Sequence, residues 1–234
     1  VVWVIYLLDH IIDGVRAGKN ASNLMQKFFH KHRIPLILVC LMMLIFIFRL
    51  VIYRLEPEII QLGLVLSAAV FFYFLLNVFP GRSGQKFFIR EIWISIIYVA
   101  GIWGGSVLYA NEKLAEGQWL LILSFFLLIL SNVFFNSYIY TETNQKEGKA
   151  SFSVLFGKSL TRSIVVLSNL AGMIVIFLNL IFYSNADFPS IFALMAMQIL
   201  MFYVVLRVNK MKDPSVLPLY ADAILIIPFV LLIG

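Results

Sequence analysis

Apolar residues fall in long, nearly uninterrupted blocks, parted by short polar stretches that carry Gly, Pro, Asn and basic side chains. Seven blocks lie near 34–54, 59–79, 89–110, 118–139, 163–183, 188–207 and 217–234. Each reaches the roughly 20 residues that an α-helix needs to cross a hydrocarbon core of about 30 Å. An eighth block, 1–13, is shorter and reads as the end of a helix that begins before Val1. The blocks are apolar on all faces, without the in–out alternation of a transmembrane β-strand. Between them stand Pro57, Pro80-Gly81, Ser83-Gly84, Gly117, Asn185 with Pro189, and Pro214, residues that end helices and make turns. The pattern predicts an all-α integral membrane protein, a multi-span helical bundle with eight spans that form a single domain over 1–234.

Charge adds sidedness to this pattern. Arg16, Lys19, Lys27, Lys31 and Arg33 follow the first block, and Arg82, Lys86 and Arg90 follow the third. Lys146, Lys149, Lys158 and Arg162 follow the fifth, and Arg207, Lys210 and Lys212 follow the seventh. Only Arg49, Arg54 and Lys113 of the 18 basic residues fall on the other side. Eight alternating spans therefore place the basic loops on one face, expected to be cytoplasmic. The net charge of +6 is then mostly this bias, with attraction to anionic lipid heads, and gives no reason to expect nucleic acid as a partner.

Composition agrees with the pattern. Of 234 residues, 62% are hydrophobic and 13% charged, and the mean hydropathy is +0.97. That excludes a disordered chain and argues against a soluble domain, which is about 25% charged. Cys40 is the sole cysteine, so neither an intrachain disulfide nor a cysteine-based metal site can form. Its apolar surroundings read as those of a small buried hydrophobe.

Chemistry is concentrated in two polar stretches, 14–33 and 140–162, both on the basic face. At the mouth of the first stands Asp9-His10-Ile11-Ile12-Asp13-Gly14. Asp9 and Asp13 are four apart and share one face of a helix, whereas His10 points away from it. Such a pair is able to hold Mg²⁺, which takes one or two carboxylates and fills its shell with water and phosphate oxygens. A plain polar helix end is the competing reading. The second stretch runs from Tyr140 to Ser151 and offers Glu142 and Asn144 as oxygen ligands, with Lys146 and Lys149 as phosphate partners. Glu91 and Asp222 sit near span ends on the same face. Glu91 adjoins Arg90, which can neutralise it, whereas Asp222 has no basic neighbour in sequence and needs a partner across the bundle. HExxH, GxSxG, P-loop and CxxC patterns do not occur.

The two polar stretches together resemble those of the UbiA-type intramembrane prenyltransferase superfamily, whose members have nine helices with acidic motifs after helices two and six. The blocks here would be helices 2–9, with Asp9 and Asp13 at the end of helix two and the stretch 140–151 after helix six. Residues 147–158, from Glu147-Gly148-Lys149 to Gly157-Lys158, are similar to the segment after the family's second motif. Two departures stand out. The Asn of the first motif is Ile5 here, and the two aspartates of the second fall on Tyr140 and Asn144. The Arg-Pro-rich segment after the first motif is replaced by the basic run 27–33.

The resemblance implies a Mg²⁺-dependent transfer of an isoprenyl group from an isoprenyl diphosphate to an unidentified hydrophobic acceptor, aromatic or lipid. Asp9 and Asp13 would be the catalytic metal ligands, with Glu142 and Asn144 as second-site ligands. Lys149, Arg16, Lys146 and Tyr140 would meet the diphosphate, and Tyr138 or Tyr140 would line the mouth. A non-catalytic relative that binds a prenyl lipid or a partner is the alternative, favoured by Tyr140 and Asn144. A small transporter with Asp222, Glu91 and Arg90 along an ion path is the third reading.

Overall fold

A computed structural model describes residues 4, 7–8, 11–12, 14–15, 18, 24–78, 90–109, 114–146, 151–183, 188–210 and 216–227, except for the side chains of 24–26, 54, 74–78, 109 and 209. All regular structure in them is helical: α1 (Leu24–Lys31), α2 (Arg33–Arg54), α3 (Pro57–Val78), α4 (Arg90–Tyr109), α5 (Glu116–Ile139), α6 (Thr141–Lys146), α7 (Phe152–Phe156), α8 (Lys158–Phe182), α9 (Phe188–Arg207), a 3₁₀ turn (Val208–Lys210) and α10 (Leu217–Ile224). Among the described residues, five helices are long and apolar enough to cross a membrane: Arg33–Tyr53, Arg90–Leu108, Glu116–Ile139, Lys158–Phe182 and Phe188–Arg207. In α3 the apolar stretch Pro57–Tyr73 is shorter. Of the expected first span 1–13 only residues 4, 7–8 and 11–12 are described, and most of 217–234 beyond α10 lies outside the described residues.

Helix ends follow local chemistry. Pro57 opens α3, where its missing N–H costs nothing, and Glu58 and Glu116 put negative charge at the N-termini of α3 and α5. The Ala115 amide ahead of α5 donates to Gln118 Oε1 at 3.0 Å. One boundary departs from the sequence pattern. The stretch 140–162 reads as a polar loop around an apolar block from 163, yet it holds α6, α7 and the first turn of α8. The cause is Gly157: its φ of +90° lies where side chains are strained, so the chain turns there and restarts as a helix at Lys158.

The chain divides into two compact units, Val1–Val65 and Leu66–Gly234, with the division inside α3. In the first unit α1 packs on α2, and Ile11, Phe29 and Cys40 form a small buried cluster backed by Leu7, Leu8 and Leu36. Most of α2 is exposed, including Ile45, Phe46 and Phe48.

The second unit is built around α5. This helix packs along α8 and also touches α4, α7, α9 and α10. Its core joins Leu128, Phe134 and Phe135 of α5 to Val165 and Ile176 of α8 and Met197 and Met201 of α9. Polar side chains lie among them. Ser124 Oγ donates to the Gly172 carbonyl at 3.2 Å, and Ser131 Oγ to that of Val165 at 3.1 Å. Asn169 Nδ2 donates to Gln198 Oε1 at 2.8 Å, and Gln198 Nε2 to the Ser124 carbonyl at 3.2 Å. Outside, Leu167, Ile174, Phe177, Phe182 and Phe192 are exposed. Hydroxyls and carboxamides pair inside the apolar core while other Phe, Leu and Ile side chains face outward. This is how helices pack in lipid, where apolar surface gains nothing by hiding and polar groups must find each other.

Candidate functional site

The backbone ladder of α5 runs on through its end. The Tyr140 amide donates to the Asn136 carbonyl at 3.0 Å, and the Asn144 amide to that of Tyr140 at 2.8 Å. Helical pairing across the α5–α6 junction puts Asn132, Asn136, Tyr140 and Asn144 on one stripe at four-residue spacing. Asn132 and Asn144 are buried. Asn136 Nδ2 donates to Asn132 Oδ1 at 3.3 Å. Asn132 and Asn136 escaped the sequence reading, although the spacing Asn132-x₃-Asn136-x₃-Tyr140-x₃-Asn144 was there to find them.

Beside the stripe, α7 is fastened down. Ser153 Oγ donates to the Ser137 carbonyl at 2.6 Å, Ser137 Oγ lies 3.1 Å from Ser153 Oγ, and Ser151 Oγ is also 3.1 Å from it. Glu91, 1% exposed, reaches from α4 to accept the Phe152 N–H at 2.8 Å. It thus satisfies one of the four donors that a helix N-terminus leaves open. Phe152 stacks edge-on against Phe134 with centroids 4.9 Å apart. These contacts fix the segment that follows residues 147–150.

The expected ligands are described only in part. Glu142 is exposed on α6 and its carboxylate accepts from Lys158 Nζ at 2.8 Å. That hydrogen bond first and the charge of Lys158 next hold the Glu142 carboxyl below its ordinary range, against the opposing effect of desolvation, with Lys146 contributing least. Asn144, two residues on, is buried. Lys146 is exposed at the end of α6. Asp9, Asp13, Arg16 and Lys149, with His10, lie outside the described residues. Among the described residues, no group of three or more His, Cys, Asp or Glu side chains gathers in a way that could hold a metal ion.

Asp222 lies on α10, which packs on α5, the helix that carries Asn132 and Asn136. A shallow depression elsewhere on the unit is lined by Phe135, Tyr138, Arg162, Val165, Val205 and Val208. It sets one guanidinium and one phenol over an apolar floor.

Five long apolar helices and a polar interior define a multi-span helical membrane protein. No protein-family profile matches the chain, and no curated protein or solved structure is significantly similar to it.

Proposed function

We propose that the chain is a divergent UbiA-type protein whose eight spans carry an isoprenyl diphosphate site on the cytoplasmic side, and that it transfers the isoprenyl group to a hydrophobic acceptor. The observation that carries this reading is Asp9-x₃-Asp13 at the end of one apolar block, paired at a distance of four blocks with the stretch 140–151 on the same basic face. The helical continuation of α5 into α6 supports it, because it gives Tyr140 and Asn144 the shared face that the family's second motif needs.

The donor set suits one metal ion better than two. Asp9 and Asp13 are a carboxylate pair at helical spacing, whereas Tyr140 and Asn144 stand at the second motif's acidic positions and Glu142 between them is already held by Lys158. When bound, Mg²⁺ would supply positive charge to a departing diphosphate. The chain's own groups would do the rest. Lys146 and Lys149, with Arg16, would bind phosphate oxygens, and the apolar helices would keep water from the reacting carbon. Incubating the purified protein with an isoprenyl diphosphate, Mg²⁺ and candidate acceptors tests the transfer. Product that disappears in Asp9→Ala and in Asp13→Ala is expected. Absence of product with every acceptor, in a protein that still binds the diphosphate, would select the second reading, a non-catalytic prenyl-lipid binder. The ion pair at Glu142 and the amide at Asn144 favour that alternative.

A further inference from the structure

In the second unit, α5 stops at Ile139, α8 starts at Lys158 and α9 stops at Arg207. Residues near these three ends frame the shallow depression. Phe135 and Tyr138 come from α5, Arg162 and Val165 from α8, Val205 from α9, and Val208 opens the 3₁₀ turn. The floor is apolar, since Phe135, Val165 and Val205 are buried. Two polar groups stand over it, the exposed Arg162 guanidinium and the phenol of half-buried Tyr138. Neighbouring cations are already engaged. Lys158 Nζ lies 2.8 Å from the Glu142 carboxylate, and the Arg207 guanidinium lies 4.9 Å over the Tyr203 ring. The Arg162 guanidinium and the Tyr138 hydroxyl have no hydrogen-bond or ion-pair partner among the described residues. Depth says what meets them. The stretches Glu116–Ile139, Lys158–Phe182 and Phe188–Arg207 are long and apolar enough to cross lipid, so their ends stand at headgroup level.

We propose that this depression binds the phosphate of an anionic membrane phospholipid. The guanidinium fork matches two phosphate oxygens, and the phenol donates to an oxygen as well. Both groups are then answered by one anion. The Phe and Val floor gives the apolar part of the lipid a surface that a water-soluble phosphate has no use for. A zwitterionic choline head fits less well, because it brings its own cation to an end that also carries Arg207 and the exposed Lys210, two residues beyond Val208. One guanidinium and one phenol suit a single phosphate. The site therefore does not depend on the diphosphate reading, and prenyl diphosphate binding could fail with it intact.

The test is native mass spectrometry of the full chain, released from detergent after equilibration with palmitoyl-oleoyl phosphatidylglycerol or with phosphatidylcholine of the same chains. Wild-type protein is expected to retain the phosphatidylglycerol about ten-fold better, as a charge-assisted hydrogen bond implies. Arg162→Met is expected to erase the preference and Tyr138→Phe to reduce it. Arg49→Met, which removes the same charge from α2, should leave it unchanged. Equal retention of the two lipids by the wild-type protein would overturn the proposal, and that comparison needs no variant to fold. A preference that survives Arg162→Met, or that falls equally in Arg49→Met, would overturn it too, by assigning the effect to net charge. So would release of the bound lipid by inorganic diphosphate or by palmitate, which would give Arg162 to a soluble phosphate or to a carboxylate.

Discussion

Gly172 is the position where the second unit is least tolerant of an added atom. A Cβ there would overlap the side-chain amide of Gln198, which is fully buried and held by Asn169 and Ser124. Gly172→Ala is therefore expected to destabilise the protein by about 1–3 kcal/mol in unfolding from detergent micelles. Gln198→Ala removes the obstacle, so the double variant should lose less than the sum of the singles. At Glu142 the expected effect is a titration. Lys158 depresses the carboxyl, so the pair is present above the ordinary carboxylate range and is lost as pH falls through the lowered value. In a ¹³C titration, Lys158→Met should move the Glu142 midpoint up, and an unchanged midpoint would deny the pair. Being exposed, it adds little to stability. Single residues were also where the sequence said least. Glu91 reads as the neighbour of Arg90, but its carboxylate is used 61 residues away at Phe152, a pairing that only tertiary packing creates.

Among the elements, the apolar helices were legible nearly to their ends, because a block apolar on all faces can cross lipid in no other form. The blocks 34–54, 89–110, 118–139 and 188–207 match α2, α4, α5 and α9 closely. What was not legible was the order within 140–162. Polarity there reflects an end exposed to water, and three helices form in it through Gly157, the serine bonds and Glu91. The Glu91 contact has a measurable consequence. Glu91→Leu leaves the Phe152 N–H buried without an acceptor, a loss of about 1–3 kcal/mol, and should speed hydrogen exchange at that amide. Glu91→Gln keeps an acceptor oxygen and should leave exchange near the wild-type rate. Equal exchange in both variants would mean that α7 is held by Ser137 and Phe134 alone.

At the scale of the whole molecule, the membrane class is carried by composition, five long apolar helices and the polar interior of the second unit together. The site was half legible: its residue types and spacing could be read, whereas the stripe of Asn132 and Asn136 that leads to Tyr140 and Asn144 depends on the helix running on through the α5–α6 junction. Sidedness is tested by single cysteines in a Cys40→Ala background. Positions 146 and 210 should react with an impermeant thiol reagent from one side of the membrane and position 113 from the other; reaction of all three from one side would refute the eight-span topology. The central claim is the isoprenyl diphosphate site, and its most direct measurement is binding of geranylgeranyl diphosphate to the purified protein, with and without Mg²⁺, in wild type and in the Asp9→Asn/Asp13→Asn variant. The account predicts tight binding that requires Mg²⁺ and is lost in the variant. Binding indifferent to both metal and substitution, or no binding at all, would contradict it.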